Sequence, residues 1–283
     1  ANNAGFNQTE FNDLAPGERS SRQMRGAGDR QMLQQAYNFQ EAHNDNLHGP
    51  GFGDASWLMF DYNRGNSPDI EASGIMDIFR IPKFAWWFYR SQTEVGPVCF
   101  IAHHNLPSSG NTVRVFSNAD SVQLFRNDTL IAIQGPDSDP TSVNLKHPPF
   151  TFTLPGYAPG TLRAVGLRKG AEVITHSVTT AGPPAALRLF ADFSNKTLKA
   201  GGSDVIFIYA TIVDSLGNAV HNADSLVEFS VRGNGELIGH NPARAEAGVA
   251  SILLRAGPNP GKIMIRALSG EKAEAEIMIE SRR

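Results

Sequence analysis

Trp57, Asp61, Asn63 and Arg64 fall within one short run, Trp57-Leu58-Met59-Phe60-Asp61-Tyr62-Asn63-Arg64-Gly65. An indole offers a flat apolar face and one N–H donor. A carboxylate, an amide and a guanidinium close behind it add acceptors and donors. The set suits a polar ligand that also presents an apolar face. Each residue has a plainer alternative. Trp57 can be a core ring under a loop. Asp61 can orient a neighbour or cap the loop that follows, since Asp often starts turns. Asn63 and Arg64 can serve that loop alone. Asp69, Glu71 and Asp77 add acids near the same end. A fresh catalytic pair among them competes with ordinary salt bridges and turns.

The remaining reactive side chains carry less. His43 and His48 do not have metal-ligand spacing on a helix, because residues 46–53, with Gly49-Pro50-Gly51, are expected to break it. His103-His104 has no neighbouring Cys or third ligand and is a weak zinc signal. Cys99, in Val98-Cys99-Phe100-Ile101, reads as a buried thiol. Neither a metal nor a cofactor is expected.

These residues need elements to hold them. From about Asp29 to His43, Met32, Leu33, Ala36, Tyr37 and Phe39 form one apolar stripe, which predicts a helix. Ala55 to Phe60 is apolar without alternation, as in a parallel strand covered on both faces. Arg64 to Ser73 is a polar loop. Pro82 suits a first helical turn, and Lys83 to Ser91 predicts a helix too aromatic to be exposed. Strand, loop and helix together read as part of an α/β barrel, seen at the end where such barrels build their sites. The aromatic helix, with Phe84, Trp86, Trp87, Phe88 and Tyr89, is expected to pack between domains.

After Gly96-Pro97 the period changes to two. Val113/Val115 and Val122/Leu124 alternate with polar neighbours, and Arg126-Asn127-Asp128 reads as a hairpin turn. Phe150, Phe152 and Leu154 share a face. Thr161–Leu167 and Ala171–Val178 flank Lys169-Gly170. This is a small β-sandwich. Ala181 to Ala186 is a linker by composition. A second sandwich follows, with Val205–Val213 as its central strand and Leu216-Gly217-Asn218 as a turn. Its last strand carries Glu274, Glu276 and Glu280 on a wet face.

The bulk numbers agree with folded modules. The chain has 283 residues, 41% of them apolar and 19% charged, and a net charge of −3. That charge, without a Lys/Arg cluster, argues against a nucleic-acid partner. No run is long and apolar enough for a membrane helix. One cysteine excludes an intrachain disulfide framework. The first residues show no signal peptide. The missing initiating Met suggests a piece of something longer.

The combination resembles glycoside hydrolase family 2, specifically β-galactosidase-like members with extra C-terminal modules. Trp57 to Gly65 looks like the family's eighth barrel strand and its loop. Ser73-Gly74-Ile75-Met76-Asp77 with Pro82-Lys83 and the aromatic helix looks like the return to the last barrel helix. Val113–Asn118, Gln123–Asn127 and Gly160–Gly166 are similar to a β-domain that follows the barrel. Asp214-Ser215-Leu216-Gly217-Asn218 resembles bacterial Ig-like domains of the invasin type. The resemblance implies a mainly β chain: a C-terminal remnant of a TIM (β/α)8 barrel at residues 1–94, then two Ig-like β-sandwich domains at 95–183 and 184–283.

It further implies the C-terminal fragment of a retaining β-glycosidase, most simply a β-galactosidase, that removes terminal sugars from oligo- or polysaccharides. Retaining hydrolysis needs two carboxyls ~5–5.5 Å apart. The family's two glutamates belong to strands expected upstream of residue 1, so no residue here is assigned as catalytic and the chain alone is expected to be inactive. Trp57, Asp61 and Asn63 become the sugar-binding candidates, with Trp57 stacking on a pyranose from the floor of the subsite. The implied partners are a carbohydrate substrate, the rest of the barrel and a possible second copy, with no nucleic acid or membrane. A periplasmic or extracellular setting follows from the resemblance alone. The residues left two other readings open. One is a non-catalytic carbohydrate- or protein-binding module, which calls for an exposed aromatic row on a sandwich face. The region after Gln92 has no Trp, and its Phe residues fall mostly on inward positions, against that reading. The other is a structural spacer. The first 60 residues were expected to be poorly ordered, to dock on the β-domain without forming a barrel, or to pair with a second chain.

Overall fold

The computed structural model describes residues 23–65, 70–270 and 273–283. The chain is mainly β and forms two compact units, the first ending at Thr180 and the second running from Ala181 to Arg283.

In the first unit, helix α1 (Asp29–His48) and helix α2 (Phe84–Ser91) precede a β-sandwich. Two minimal strands, β1 (Tyr62–Asn63) and β2 (Ile70–Glu71), pair between the helices. The sandwich has a three-stranded sheet, β3 (Cys99–Ala102), β4 (Thr112–Ser117) and β7 (Phe150–Thr153), ordered β3-β4-β7. Its partner holds β5 (Ser121–Arg126), β6 (Thr129–Gln134), β8 (Thr161–Arg168) and β9 (Ala171–Thr179), ordered β6-β5-β8-β9. The expected β5–β6 hairpin turns on Asn127 and Asp128, both at positive φ, as a tight two-residue turn demands.

The three-stranded sheet is apolar on both faces. Cys99, Ile101, Val113, Val115, Phe150 and Phe152 meet Val122, Leu124, Leu162 and Ala164 of the other sheet. Ala102 and Phe116, pointing the opposite way, meet Met32 and Ala36 of α1 and Phe84, Ala85 and Phe88 of α2. Met32/Ala36 and Phe84/Phe88 are each four residues apart, so each helix turns one stripe onto the sheet. Each buried Phe contributes roughly 1.5–3 kcal/mol. Trp87 stacks on Phe100 at 4.4 Å between ring centroids. Of the three outcomes open for the first 60 residues, the described part takes the second and docks on the β-domain.

Two local expectations are corrected. Helix α1 runs through His48 rather than ending near His43, because Gly49-Pro50, not Asn46, stops it. Ala55–Phe60 is not a strand covered on both faces. Only residues 58–61 pair, on one side, with 75–76: Ile75 and Met76 donate to the Leu58 and Met59 carbonyls, and Asp61 donates to Met76. Among the described residues nothing pairs with the other edge, and residues 51–57 are exposed. The pairing is confined to those few residues, so it forms a bridge and not a full strand.

The second unit is a second sandwich. One sheet is ordered β10-β11-β15-β13, from Ala186–Asp192, Val205–Val213, Val249–Ala256 and Gly235–Ile238. The other is ordered β14-β12-β16-β17, from Ala243–Arg244, Leu226–Gly233, Gly261–Ser269 and Ala273–Ser281. Strand β11 is central, as its apolar run predicts. Asp214 builds the turn after it, taking the backbone N–H groups of Gly182, Leu216 and Asn218 and the Asn218 side-chain amide. The Asn218 side chain and these N–H groups hold its carboxyl down at about 2.

Asp29 joins α1 to the end of β3. Its carboxylate takes the His104 N–H at 2.6 Å and the His104 ring Nδ1 at 2.5 Å. Burial alone would raise this carboxyl; the hydrogen bonds and charge of His104 outweigh burial and hold it at about 2. A folded value below the unfolded one means stability that is present above pH 4 and is lost as pH falls toward 2. Urea unfolding of the first unit is expected to show a loss of about 2 kcal/mol over that window that Asp29→Asn removes. Equal acid sensitivity in the two proteins would refute the assignment.

Candidate functional site

The candidate residues lie in and around the pairing between residues 58–61 and 75–76, with Trp57 just before it, Asp61 at its end and Asn63 on β1. Trp57 is 64% exposed, and Met59 beside it is also exposed. The indole is sealed in neither sandwich. The peptide bond from Trp57 to Leu58 is cis.

Asp61 is 6% exposed and turns inward. Its Oδ1 accepts the Lys83 ammonium at 2.7 Å and the Gly74 N–H at 2.9 Å. Lys83 is fully buried and also donates to the Ala72 carbonyl at 2.9 Å. Burial pushes the Asp61 carboxyl up to about 6, against the pull of Lys83 and the Gly74 N–H. The pair stands at the first residue before α2, so it joins the Trp57 segment, the Ala72–Gly74 loop and the aromatic helix. Gly74 is required here: a Cβ would meet the Phe60 carbonyl carbon and the Asp61 nitrogen at 2.3 Å. Asp61 therefore orients neighbours, and its carboxylate faces Lys83 and Gly74 rather than solvent.

Asn63 is exposed in β1, and its side-chain oxygen accepts the Gly65 N–H at 2.9 Å. Arg64 pairs with Glu71. Asp77 is buried; it accepts Arg25 Nε at 2.7 Å and the Phe79 and Ile81 N–H groups at 2.8 Å. Glu71 and Asp77 are thus engaged in ion pairs and a turn, the plainer of their two readings. Asp69 lies outside the described residues. Arg80 closes the turn with its guanidinium 3.5 Å over the Phe60 ring.

The histidines diverge. His43 Nδ1 lies 2.8 Å from Asp54. His103 Nε2 faces the Gly110 carbonyl, and its Nδ1 accepts the Asn105 N–H; burial lowers its pKa. His104 faces Asp29. Among the described residues no group of three His, Cys, Asp or Glu side chains could hold a metal. Burial pushes the Cys99 thiol up to about 12, an inert state.

Sequence reasoning missed Lys83, Tyr89 and Ser56 as partners. The signal for Lys83 was present: a lone ammonium between Pro82 and an aromatic run has no water to enter. The Phe residues after Gln92 are mostly buried or half-buried, as expected, with Phe190 the exception. Phe190 on β10 is 59% exposed and lies parallel to Tyr209, 6.2 Å away, which lies parallel to Phe207 at 6.0 Å. On β11, Phe207 and Tyr209 alternate with the inward Ile206, Ile208 and Ala210, and on β10 Phe190 stands between the core-packed Leu189 and Ala191, so strand period, not hydrophobicity, sets their face. The second unit also carries an open depression of about 510 Å³ lined by Gly202, Asn234, Glu236, Arg255 and Pro258.

The site thus combines an exposed indole with a buried acid–ammonium pair, in a unit that also holds an antiparallel sandwich. Residues 189–278 match the glycoside hydrolase family 2 C-terminal domain 5, and residues 111–174 match a domain of unknown function (DUF4982). A β-galactosidase of Thermoanaerobacter pseudethanolicus is 35% identical over 242 residues, covering 78% of this chain and 32% of that protein. The β-galactosidase BoGH2A of Bacteroides ovatus is 28% identical over 250 residues, covering 81% and 28%. A β-glycosidase from Bacteroides vulgatus superposes with a TM-score of 0.72 at 24% identity, over 85% of this chain and 32% of that one, a likeness of fold. A family 2 member from Bacteroides cellulosilyticus gives 0.67 at 26% identity, over 87% and 36%. The chain belongs to glycoside hydrolase family 2 and corresponds to its C-terminal region. It spans about a third of the length of the curated relatives it matches.

Removing Lys83 would strand a buried carboxylate. Lys83→Met is expected to cost about 3–5 kcal/mol at pH 7.5. The loss should shrink toward pH 5, where Asp61 takes up a proton. A cost below about 1 kcal/mol by urea unfolding, the range of exposed pairs, would show that the pair is not structural.

Proposed function

We propose that this chain is the C-terminal part of a retaining β-glycosidase, a β-galactosidase in the first instance, and that Trp57 contributes to its sugar site. The observation that carries the reading is the exposed indole beside an anchored but one-sided pairing at residues 58–61. That edge, unpaired among the described residues, suits further barrel strands, which the longer relatives have room to supply. Residues before Gln92 then complete the barrel, and the two sandwiches brace it. Stacking on an aromatic face is a fitting use for a ring with no core to enter. Asn63, exposed beside it, remains a candidate hydroxyl partner. Asp61 contributes by holding the segment.

The chain alone is proposed to hydrolyse nothing, since neither family glutamate is assigned within it. Purified material is expected to release no nitrophenol from nitrophenyl β-galactoside or β-glucuronide. Turnover abolished by altering Asp61 or Glu71 would overturn this. In a longer protein carrying the barrel, Trp57→Ala should lower kcat/KM about tenfold or more, the equivalent of ~1.4 kcal/mol; an unchanged value would remove Trp57 from the site.

A second reading is favoured by the Phe190–Tyr209–Phe207 row: a module that binds carbohydrate or protein without catalysis. Glycan-array binding by the chain that is lost in Phe190→Ala but kept in Trp57→Ala would favour it over the first.

A further inference from the structure

The loop that presents Trp57 is tied to both helices immediately before the indole. Asp54 Oδ2 lies 2.8 Å from His43 Nδ1 on α1, and Ser56 Oγ donates to Tyr89 Oη on α2 at 2.7 Å. The two anchors support each other. The His43 ring meets Tyr89 edge to face at 5.6 Å and 69° and meets Phe88 at 6.1 Å and 80°. Phe39, one turn before His43, meets the Tyr89 ring at 5.8 Å and 64°. Phe88 itself is fully buried against the sheet. The clamp therefore stands on the rigid helix–sheet core, not on another loop. On the other side of the indole, the Leu58 carbonyl accepts the Ile75 N–H at 3.1 Å. Trp57 is thus fixed on both sides along the chain while its ring stays in the open. Upstream, Gly49-Pro50-Gly51-Phe52-Gly53 is exposed and offers no such anchor.

A ring that must meet a ligand in one orientation binds more tightly when its backbone is held beforehand. We propose that Tyr89 and His43 are positioning residues for Trp57, clamping residues 54–57 through Ser56 and Asp54. The proposal rests on the reading of Trp57 as a sugar-contacting ring. It gives a purpose to the Tyr89 hydroxyl on a largely aromatic helix and to the His43 ring beside it. Phenylalanine at 89 would pack as well but could not hold the loop.

The test is nitrogen-15 relaxation of the Trp57 indole and of amides 54–58 in the 283-residue chain, compared with Ser56→Ala, Ser56→Thr and Tyr89→Phe. Ser56 is exposed, so its variants will fold even if Tyr89→Phe does not. The order parameters are expected to fall in Ser56→Ala and Tyr89→Phe and to return in Ser56→Thr, which restores the hydroxyl. Unchanged order in Ser56→Ala overturns the clamp, whatever Trp57 binds. In the longer protein carrying the barrel, Ser56→Ala should raise KM roughly three- to tenfold with little change in kcat, the pattern of lost uniform binding. A loosened loop with unchanged KM would overturn the sugar-contact reading and the positioning role with it, while leaving the hydrogen-bonded clamp as a structural feature.

Discussion

The buried contact between Asp61 and Lys83 is the constraint on which the candidate site depends. An ammonium with no exposure cannot stay charged in an apolar surrounding unless its partner and acceptors are in place. Here they are Asp61 and the Ala72 carbonyl. Meeting that requirement draws three separate stretches to one point: the segment carrying Trp57, the loop around Gly74, and the start of α2. The pair adds little net stability over an apolar replacement. Its effect is to tie the three stretches together, since both charges are met by groups from all of them. Gly74 makes the same arrangement sterically possible.

Beneath the pair lies a sheet used on both faces. Strands β3 and β4 give alternate residues to the sandwich core and to the helices. The helices therefore need no closed barrel to bury their stripes. That explains how a segment with the sequence features of a barrel end can pack where, among the described residues, only one side of its pairing is met. The aromatic excess of α2 follows as well: Phe84 and Phe88 go to the sheet, Trp87 to Phe100, and Tyr89 to α1 and the loop.

Much of this was legible in the residues. Period-two alternation located the sandwich strands, and Asn127-Asp128, Lys169-Gly170 and Leu216-Gly217-Asn218 marked turns, because both signals are local. The family resemblance was legible in the run from Trp57 to the aromatic helix. The partners were not. Nothing local in Asp61 says that it will meet Lys83, 22 positions on, or that Ser56 will reach Tyr89. The strand predicted at Ala55–Phe60 failed for the same reason: an apolar run becomes a strand only where a distant neighbour pairs with it, and residues 51–57 are exposed. The outward set of Phe190, Phe207 and Tyr209 follows from alternation along β10 and β11, but its alignment across the two strands depends on their register, which no local signal carries.

An exposed Trp57 held between two anchored positions is a structural fact; that the ring belongs to a sugar site completed by other parts of a family 2 enzyme is the proposal built on it. The most direct measurement is a crystal structure of the longer protein with a monosaccharide bound in its barrel. The account predicts the Trp57 indole in van der Waals contact with the apolar face of the sugar, Asp61 still on Lys83, and further strands paired along the free edge of residues 58–61. A sugar bound with Trp57 distant from it, or an indole covered by one of the sandwiches, would contradict the account.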